Sequence, residues 1–120
     1  MSDLIAVKSN WLIEACYRLT LQEQRFMLSC IAKVDPRKPI PKSMVLTAAE
    51  FQANFPDIGK GNAEKILHDT VNKLWERSII VSDPDQTEEF RWIQRRARYH
   101  KGEARVSVTF SDDIAKYLTQ

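Results

Sequence analysis

The stretch TLQEQRFMLSCIA, residues 20–32, constrains the fold more than any other part of the chain. Thr20 and Glu23 form a capping-box pattern, in which each side chain accepts a hydrogen bond from the other's backbone N–H, so a helix is predicted to begin at Leu21. We expect it to end near Lys33 or Val34, because Asp35 precedes a proline and is driven out of helical geometry. The helix has almost no polar face and therefore needs neighbours on several sides.

A second capping box, Thr47 with Glu50, predicts a short helix after the β-branched run SMVLT. The segment PDIGKG that follows is typical of a tight turn. After it, GNAEKILHDTVNKLWERS repeats apolar residues at spacings of three and four, which predicts an amphipathic helix. These elements place two helices, joined by a turn, after a short strand.

The remaining sequence predicts mostly β-structure. SIIVSD reads as a buried strand, and residues 88–111 read as one β-hairpin, in which apolar and polar residues alternate from Arg105 to Phe110. Lys101-Gly102 suits the hairpin turn because glycine tolerates a positive φ. The apolar phase slips between Trp92 and Ile93, which predicts a bulge or twist. Ser111 is expected to cap a short final helix.

This order predicts an α+β fold of the winged helix-turn-helix kind. It would have a helical core, a β-hairpin wing and a short C-terminal helix. A length of 120 residues fits a single domain over residues 1–120. In this layout the helix beginning near Asn62 takes the recognition position.

Charge is unevenly distributed along the chain. The formal net charge is +2, but residues 91–120 carry seven Lys or Arg against three Asp or Glu. Between Arg91 and Lys101 there are five cations and no acid, interleaved with Trp92 and Tyr99. A solvated face and a nucleic-acid contact both account for such a run.

The sequence predicts no membrane span, and Cys16 and Cys30 read as buried free thiols of a cytoplasmic protein.

The first block of the chain resembles a known family. KSNWLIEACYRLTLQEQRFMLSCIAKVD is similar to the opening of iteron-binding plasmid replication initiators of the RepA/RepE type, through Asn10, Leu12-Ile13, Glu14-Ala15, residues 17–20 and residues 23–25. The likeness continues more loosely to the basic hairpin. It implies a bacterial initiator with two winged-helix domains, of which the first dimerises and adds DNA contacts. The chain ends at KYLTQ, where that first domain is expected to end, so the second, base-reading domain is expected to be absent.

The resemblance also implies a function and its partners. Dimerisation would hold the parent initiator in an autorepressing form, and conversion to the monomer would free it for origin binding and so control copy number. Expected partners are a second copy of the chain, origin double-stranded DNA contacted through phosphates, and host replication factors and chaperones. The residues predicted to contact DNA are Lys60, Asn62, Lys65, Lys73, Arg91, Arg95, Arg96, Arg98 and Lys101, with Asn72 beside them. The residues predicted to anchor the dimer are Phe90, Trp92, Val106, Val108 and Phe110, although each taken singly is better explained as core.

Other interpretations stay open on the sequence. The domain would alternatively be a winged-helix transcriptional regulator or a protein-interaction module that binds no nucleic acid. Glu64 and His68 have a spacing that can hold a metal, but no further ligand accompanies them, so we predict no enzyme activity, metal or cofactor. Residues 26–32, FMLSCIA, have the composition of an aggregation-prone segment.

Overall fold

The computed structural model describes residues 14–35, 37–38, 41, 43–59, 61–99, 102 and 104–118, with side chains described as far as residue 115. Residues 14–17 are helical and lead into helix α1, Leu21–Ala32. Strand β1, Ser43–Thr47, is followed by helix α2, Ala48–Asn54, by a 3-10 turn at Pro56–Ile58 and by helix α3, Ala63–Glu76. Strands β2, Ser78–Ser82, β3, Thr87–Arg91, β4, Ile93–Arg98, and β5, Arg105–Phe110, precede helix α4, Asp112–Leu118.

Both predicted capping boxes are present. The Thr20 hydroxyl accepts from the backbone N–H of Glu23, whose Oε1 accepts from the Thr20 backbone N–H at 2.9 Å. Thr47 and Glu50 make the same pair of bonds at the start of α2, each at 3.0 Å. The predicted cap of α4 is also confirmed, since the Ser111 hydroxyl accepts from the backbone N–H of Ile114. Local sequence thus determines where these three helices begin.

Two antiparallel sheets flank the helices. One has the strand order β1-β5-β4, and the other pairs β2 with β3. In the first sheet Met44 lies opposite Val108 and Leu46 opposite Val106, and all four side chains are buried. The core joins this face to the four helices through buried residues that include Phe26, Phe51, Leu67, Leu74 and Ile114. The predicted fold class, an α+β winged helix with a hairpin wing and a short C-terminal helix, is confirmed.

The predicted hairpin over residues 88–111 is wrong in its first half. Residues 87–91 pair with β2 through a turn at Asp83–Gln86, in which Asp83 Oδ1 accepts from the backbone N–H groups of Asp85 and Gln86. The wing strand proper begins at Ile93, after a bend at Trp92, and a register irregularity lies between Ile93 and Arg95. The slip in the apolar pattern therefore marks a change of sheet as well as the predicted irregularity.

The end of the wing also differs from the prediction. Gly102 has the predicted positive φ of +81°, but the strands stop at Arg98 and resume at Arg105, so the connection is longer than a two-residue turn.

Helix α1 ends at Ala32, with Lys33 as its C-cap residue, one residue before the earlier of the two predicted ends. None of the described helices is long and apolar enough to span a membrane.

Candidate nucleic-acid interface

The predicted DNA-contact residues fall on three parts of the structure. Asn62, Lys65, Asn72 and Lys73 are exposed on or next to α3, and Arg95, Arg96 and Arg98 are exposed on the wing strand β4. Arg91 lies on β3 and not on the wing, which corrects its predicted position. Lys60 and Lys101 lie outside the described residues. The structure therefore gathers three arginines of the set on one strand.

Strand β4 presents its arginines at the rim of the sheet. Within the described residues it pairs only with β5, so its other edge carries unpaired backbone groups. Arg96 lies opposite Val108 and Arg98 opposite Val106, whose side chains point into the core, so both arginines lie on the face turned toward α3. Arg95 lies opposite Thr109, on the other face. The strand thus places cations on both sides of an exposed edge.

Arg96 is held against α3 by two contacts. Its Nη1 donates to Asn72 Oδ1 at 2.7 Å, and its guanidinium carbon lies 4.8 Å from the centroid of the Trp75 ring. A planar guanidinium over an indole face is a favourable cation–π arrangement. Arg91 adds a further link, because its Nη1 donates to the Trp75 carbonyl oxygen at 3.0 Å. The C-terminal half of α3 is therefore tied to the strands that follow it.

The outer face of α3 has no net positive charge. Its exposed charged residues are Glu64, Lys65, Asp69, Lys73 and Glu76. Three carboxylates against two amines give this face a net charge of −1. A helix that enters the strongly negative major groove normally carries more cations than acids. The recognition position of this fold is thus poorly suited to reading bases, and Asn72 is already engaged by Arg96.

The predicted dimer anchors lie mostly inside the domain. Trp92, Val106, Val108 and Phe110 are each no more than 2% exposed, and Phe90 is half-buried against the same core. Their alternation with polar residues therefore reflects the side of the sheet that faces the core. This is the interpretation that the sequence favoured for each of these residues taken singly. These side chains offer a second copy little surface. The exposed apolar residue of the β2–β3 sheet is Ile80, at 60%, and that of the three-stranded sheet is Val45, at 37%.

Glu64 and His68, whose spacing can hold a metal but for which no metal was predicted, lie near each other. His68 Nε2 is 3.7 Å from Glu64 Oε1, and the imidazole is 15% exposed. In the described part of the chain, no cluster of three or more His, Cys, Asp or Glu side chains is arranged to hold a metal ion.

Comparisons with known proteins decide the family. The model of the initiator replication protein WH1 family matches residues 5–120. This chain belongs to that family. A curated replication initiation protein of Escherichia coli is 29% identical over 126 residues, a match that spans all of this chain and 39% of the relative. The WH1 chain thus covers about two-fifths of that relative's length.

A solved structure supports the fold of the WH1 chain independently. The WH1 domain of MSBI1.176, a replication protein isolated from a multiple sclerosis patient, superimposes with a TM-score of 0.73. The match covers 93% of this chain and 89% of that one, at 24% sequence identity. At that identity the likeness establishes the winged-helix architecture.

The interactions that shape the interface leave no signal in the sequence. The Asn72–Arg96 bond joins residues 24 positions apart, and the Trp75 stack joins residues from a helix and a strand. No periodicity links such positions. The only sequence signal was the cationic run itself, which says that charges are present but not which helix they face.

Proposed function

We propose that this WH1 domain contacts the phosphates of origin duplex DNA through the arginines of β4, as an accessory to base reading elsewhere in the initiator. The observation that carries this proposal is the row Arg95, Arg96 and Arg98 on an exposed strand edge with no acidic residue within it. Each phosphate that a cation neutralises releases condensed counterions, so such contacts strengthen as salt is lowered. The mixed charge of α3 supports phosphate contact in preference to sequence reading.

The test is fluorescence anisotropy of a labelled duplex titrated with the domain at several salt concentrations. We expect binding that weakens steeply with salt, with a slope in log K against log salt of about −0.9 for each phosphate contacted. Replacing Arg95, Arg96 and Arg98 together by alanine should abolish most of this binding. The matched control is Lys65→Ala/Lys73→Ala, which removes the cations of the α3 face.

Two outcomes would contradict the proposal. If the Lys65→Ala/Lys73→Ala variant loses binding and the β4 variant does not, the interface lies on α3. If the unchanged domain binds no duplex even at low salt, the domain is a protein-interaction module.

We further propose that the domain dimerises, and that the dimer holds the initiator in a repressing form until conversion to the monomer frees it for the origin. An isologous contact through β4 is disfavoured, because antiparallel pairing of two copies would bring the arginines of both edges together. Strand β2, Ser78–Ser82, has no charged residue, and Ile80 on it is 60% exposed beside Glu89 of β3. Uncharged edges of this kind are those most prone to pair with another chain. We therefore assign the dimer contact to the β2–β3 sheet.

Light scattering on the same samples tests this second proposal. Ile80→Asp should shift the domain from dimer to monomer without loss of thermal stability, since Ile80 lies on the surface. Val45→Asp is the control, because Val45 is the exposed apolar residue of β1 in the other sheet, at 37%. A dimer that survives Ile80→Asp but dissociates in Val45→Asp would move the contact to the three-stranded sheet.

A further inference from the structure

A groove lies between the recognition-position helix and the wing strand. It has a volume of about 260 Å³. Its lining residues are His68, Val71, Asn72, Arg96, Ala97, Arg98 and Val106. Val71 and Val106 are buried and form an apolar floor, while the polar groups stand on the two walls. The helix contributes an imidazole and an amide, and the strand contributes two guanidinium groups.

The donors of this groove are oriented before any ligand arrives. Arg96 is a donor-only group, so its bond to Asn72 fixes the amide oxygen toward the guanidinium and leaves the two N–H bonds of Asn72 Nδ2 available. Stacking on Trp75 restrains the plane of the Arg96 guanidinium. A side chain that is already restrained loses less entropy when it binds. Arg96 is thus poised to donate through the N–H groups that Asn72 does not use.

Charge in and around the groove favours a single anion. Arg96 and Arg98 are the charged groups of its lining, and neither makes an ion pair with a described residue. His68, which also lines the groove, has a carboxylate beside it, because Glu64 Oε1 lies 3.7 Å from its Nε2. One tetrahedral oxyanion can accept simultaneously from guanidinium and amide donors.

We infer that the α3–β4 groove is a phosphate seat, in which Arg96, Arg98 and Asn72 hold one phosphate of the DNA backbone. This inference rests on the proposed contact of β4 with DNA and makes it specific. Arg96 and Arg98 bind one phosphate at a fixed position, and Arg95, on the opposite face of the strand, contributes only general attraction. Trp75 is a positioning residue, since it touches Arg96 and does not line the groove.

The test follows the side-chain N–H signals of Arg96, Arg98 and Asn72 by NMR in two titrations, one with inorganic phosphate and one with a short duplex. We expect saturable shifts of these signals in both titrations. Arg98→Gln should weaken duplex binding by roughly tenfold and lower the salt slope by about one, while Arg95→Gln should weaken it by less than threefold. Asn72→Asp keeps an acceptor for Arg96 but places a negative charge in the groove, and should weaken duplex binding at least as much as Arg98→Gln.

If Arg95→Gln and Arg98→Gln lose duplex affinity equally and the Asn72 amide signal does not shift, the phosphate seat is disproved. The proposed contact of β4 with DNA would still stand. Shifts with inorganic phosphate but no duplex binding would support the seat as a site for a free phosphate group and overturn the proposed function. Trp75→Leu should broaden the Arg96 signal and weaken duplex binding while Arg98 still shifts. If that variant binds the duplex as the parent does, Trp75 has no positioning role.

Discussion

Arg77 donates a hydrogen bond from Nε to Oε2 of Glu23, a carboxylate whose side chain is completely buried. Glu23 closes the capping box of α1, and Arg77 is the C-cap residue of α3. One carboxylate therefore serves two helices, since Oε1 caps the start of α1 and Oε2 binds the end of α3. The pair joins positions 54 apart in the sequence, so it can form only once the core has assembled.

Arg77→Ala should lower the free energy of unfolding by about 2 kcal/mol. A buried charge left without its partner costs about 3–5 kcal/mol, and the cost is smaller here because the Arg77 side chain is 38% exposed and water can reach the site. Urea unfolding measures the change. Arg37→Ala removes an ion pair whose arginine is 88% exposed and should change stability by less than about 0.5 kcal/mol. Equal effects of the two variants would show that the buried pair contributes nothing special.

Stability should fall as the solution is acidified through the pKa of Glu23. Burial alone would raise the pKa of this carboxyl, but the hydrogen bonds from Arg77 and Thr20 outweigh burial and hold the pKa below its ordinary value of 4.5. A carboxyl with a lowered folded-state pKa stabilises the protein above its unfolded-state pKa, and that stabilisation is lost as pH falls toward the folded-state value. Urea midpoints between pH 6 and pH 2 measure the loss, and Glu23→Gln should flatten the curve. An unchanged pH profile in Glu23→Gln would assign the acid sensitivity to other carboxyls.

Thr20→Ala should cost about 1 kcal/mol, because it removes the hydroxyl that accepts from the Glu23 backbone N–H. Thr20→Ser keeps that oxygen and should stay within a few tenths of a kcal/mol of the parent. Thermal unfolding followed by circular dichroism distinguishes the two. If serine and alanine are equally destabilising, the threonine methyl group and not its hydroxyl stabilises the helix start.

Residues Phe26 and Leu28 of α1 should respond very differently to truncation. Phe26 is fully buried and Leu28 is 59% exposed, so Phe26→Ala should cost about 3–5 kcal/mol and Leu28→Ala less than about 0.5 kcal/mol.

Leu28→Ser should therefore leave the fold stable while adding a polar group to the segment 26–32. If that segment drives aggregation, Leu28→Ser should slow the rise of thioflavin fluorescence, and aggregation as rapid as that of the parent would count against it.

The two thiols should be nearly inert in the folded domain. Burial raises the pKa of Cys30 to about 12 and also raises the pKa of Cys16. Since the thiolate is the reactive form, Cys30 in a Cys16→Ser variant should react with Ellman's reagent only as fast as the domain opens. Cys16 in a Cys30→Ser variant should react faster, because it is only half-buried. Rapid labelling of Cys30 in native conditions would show that α1 separates from the core readily.

Local signals in the sequence predicted much of the fold, because a capping box or an alternating strand pattern involves only residues within three to six positions of each other. Thr20 with Glu23, Thr47 with Glu50, and the alternation from Arg105 to Phe110 all occur in the structure as predicted. The hairpin of β2 with β3 was not predicted. The run from Thr87 to Arg98 looks like one strand, and only the packing of Trp92 into the core divides it between two sheets.

The candidate site was predictable in composition but not in arrangement. The cations of residues 91–101 were evident in the sequence, yet Arg91 contacts Trp75 from β3 while Arg96 contacts it from β4. Which face an arginine occupies depends on the strand register, and the irregularity between Ile93 and Arg95 changes that register. Alternation counted from Ile93, the first residue of β4, would have placed Arg95 on the core face and Arg96 on the other face, the reverse of what the structure shows.

The stack of Arg96 on Trp75 gives the domain a spectroscopic reporter of its own. Trp75 is half-buried beneath a guanidinium at the rim of the groove, whereas Trp92 is sealed in the core. The fluorescence emission of an indole ring depends on how close a stacked cation lies to it. A Trp11→Phe/Trp92→Phe variant would therefore leave Trp75 as the one tryptophan of the chain, and its emission wavelength and intensity would report when the arginine above it moves.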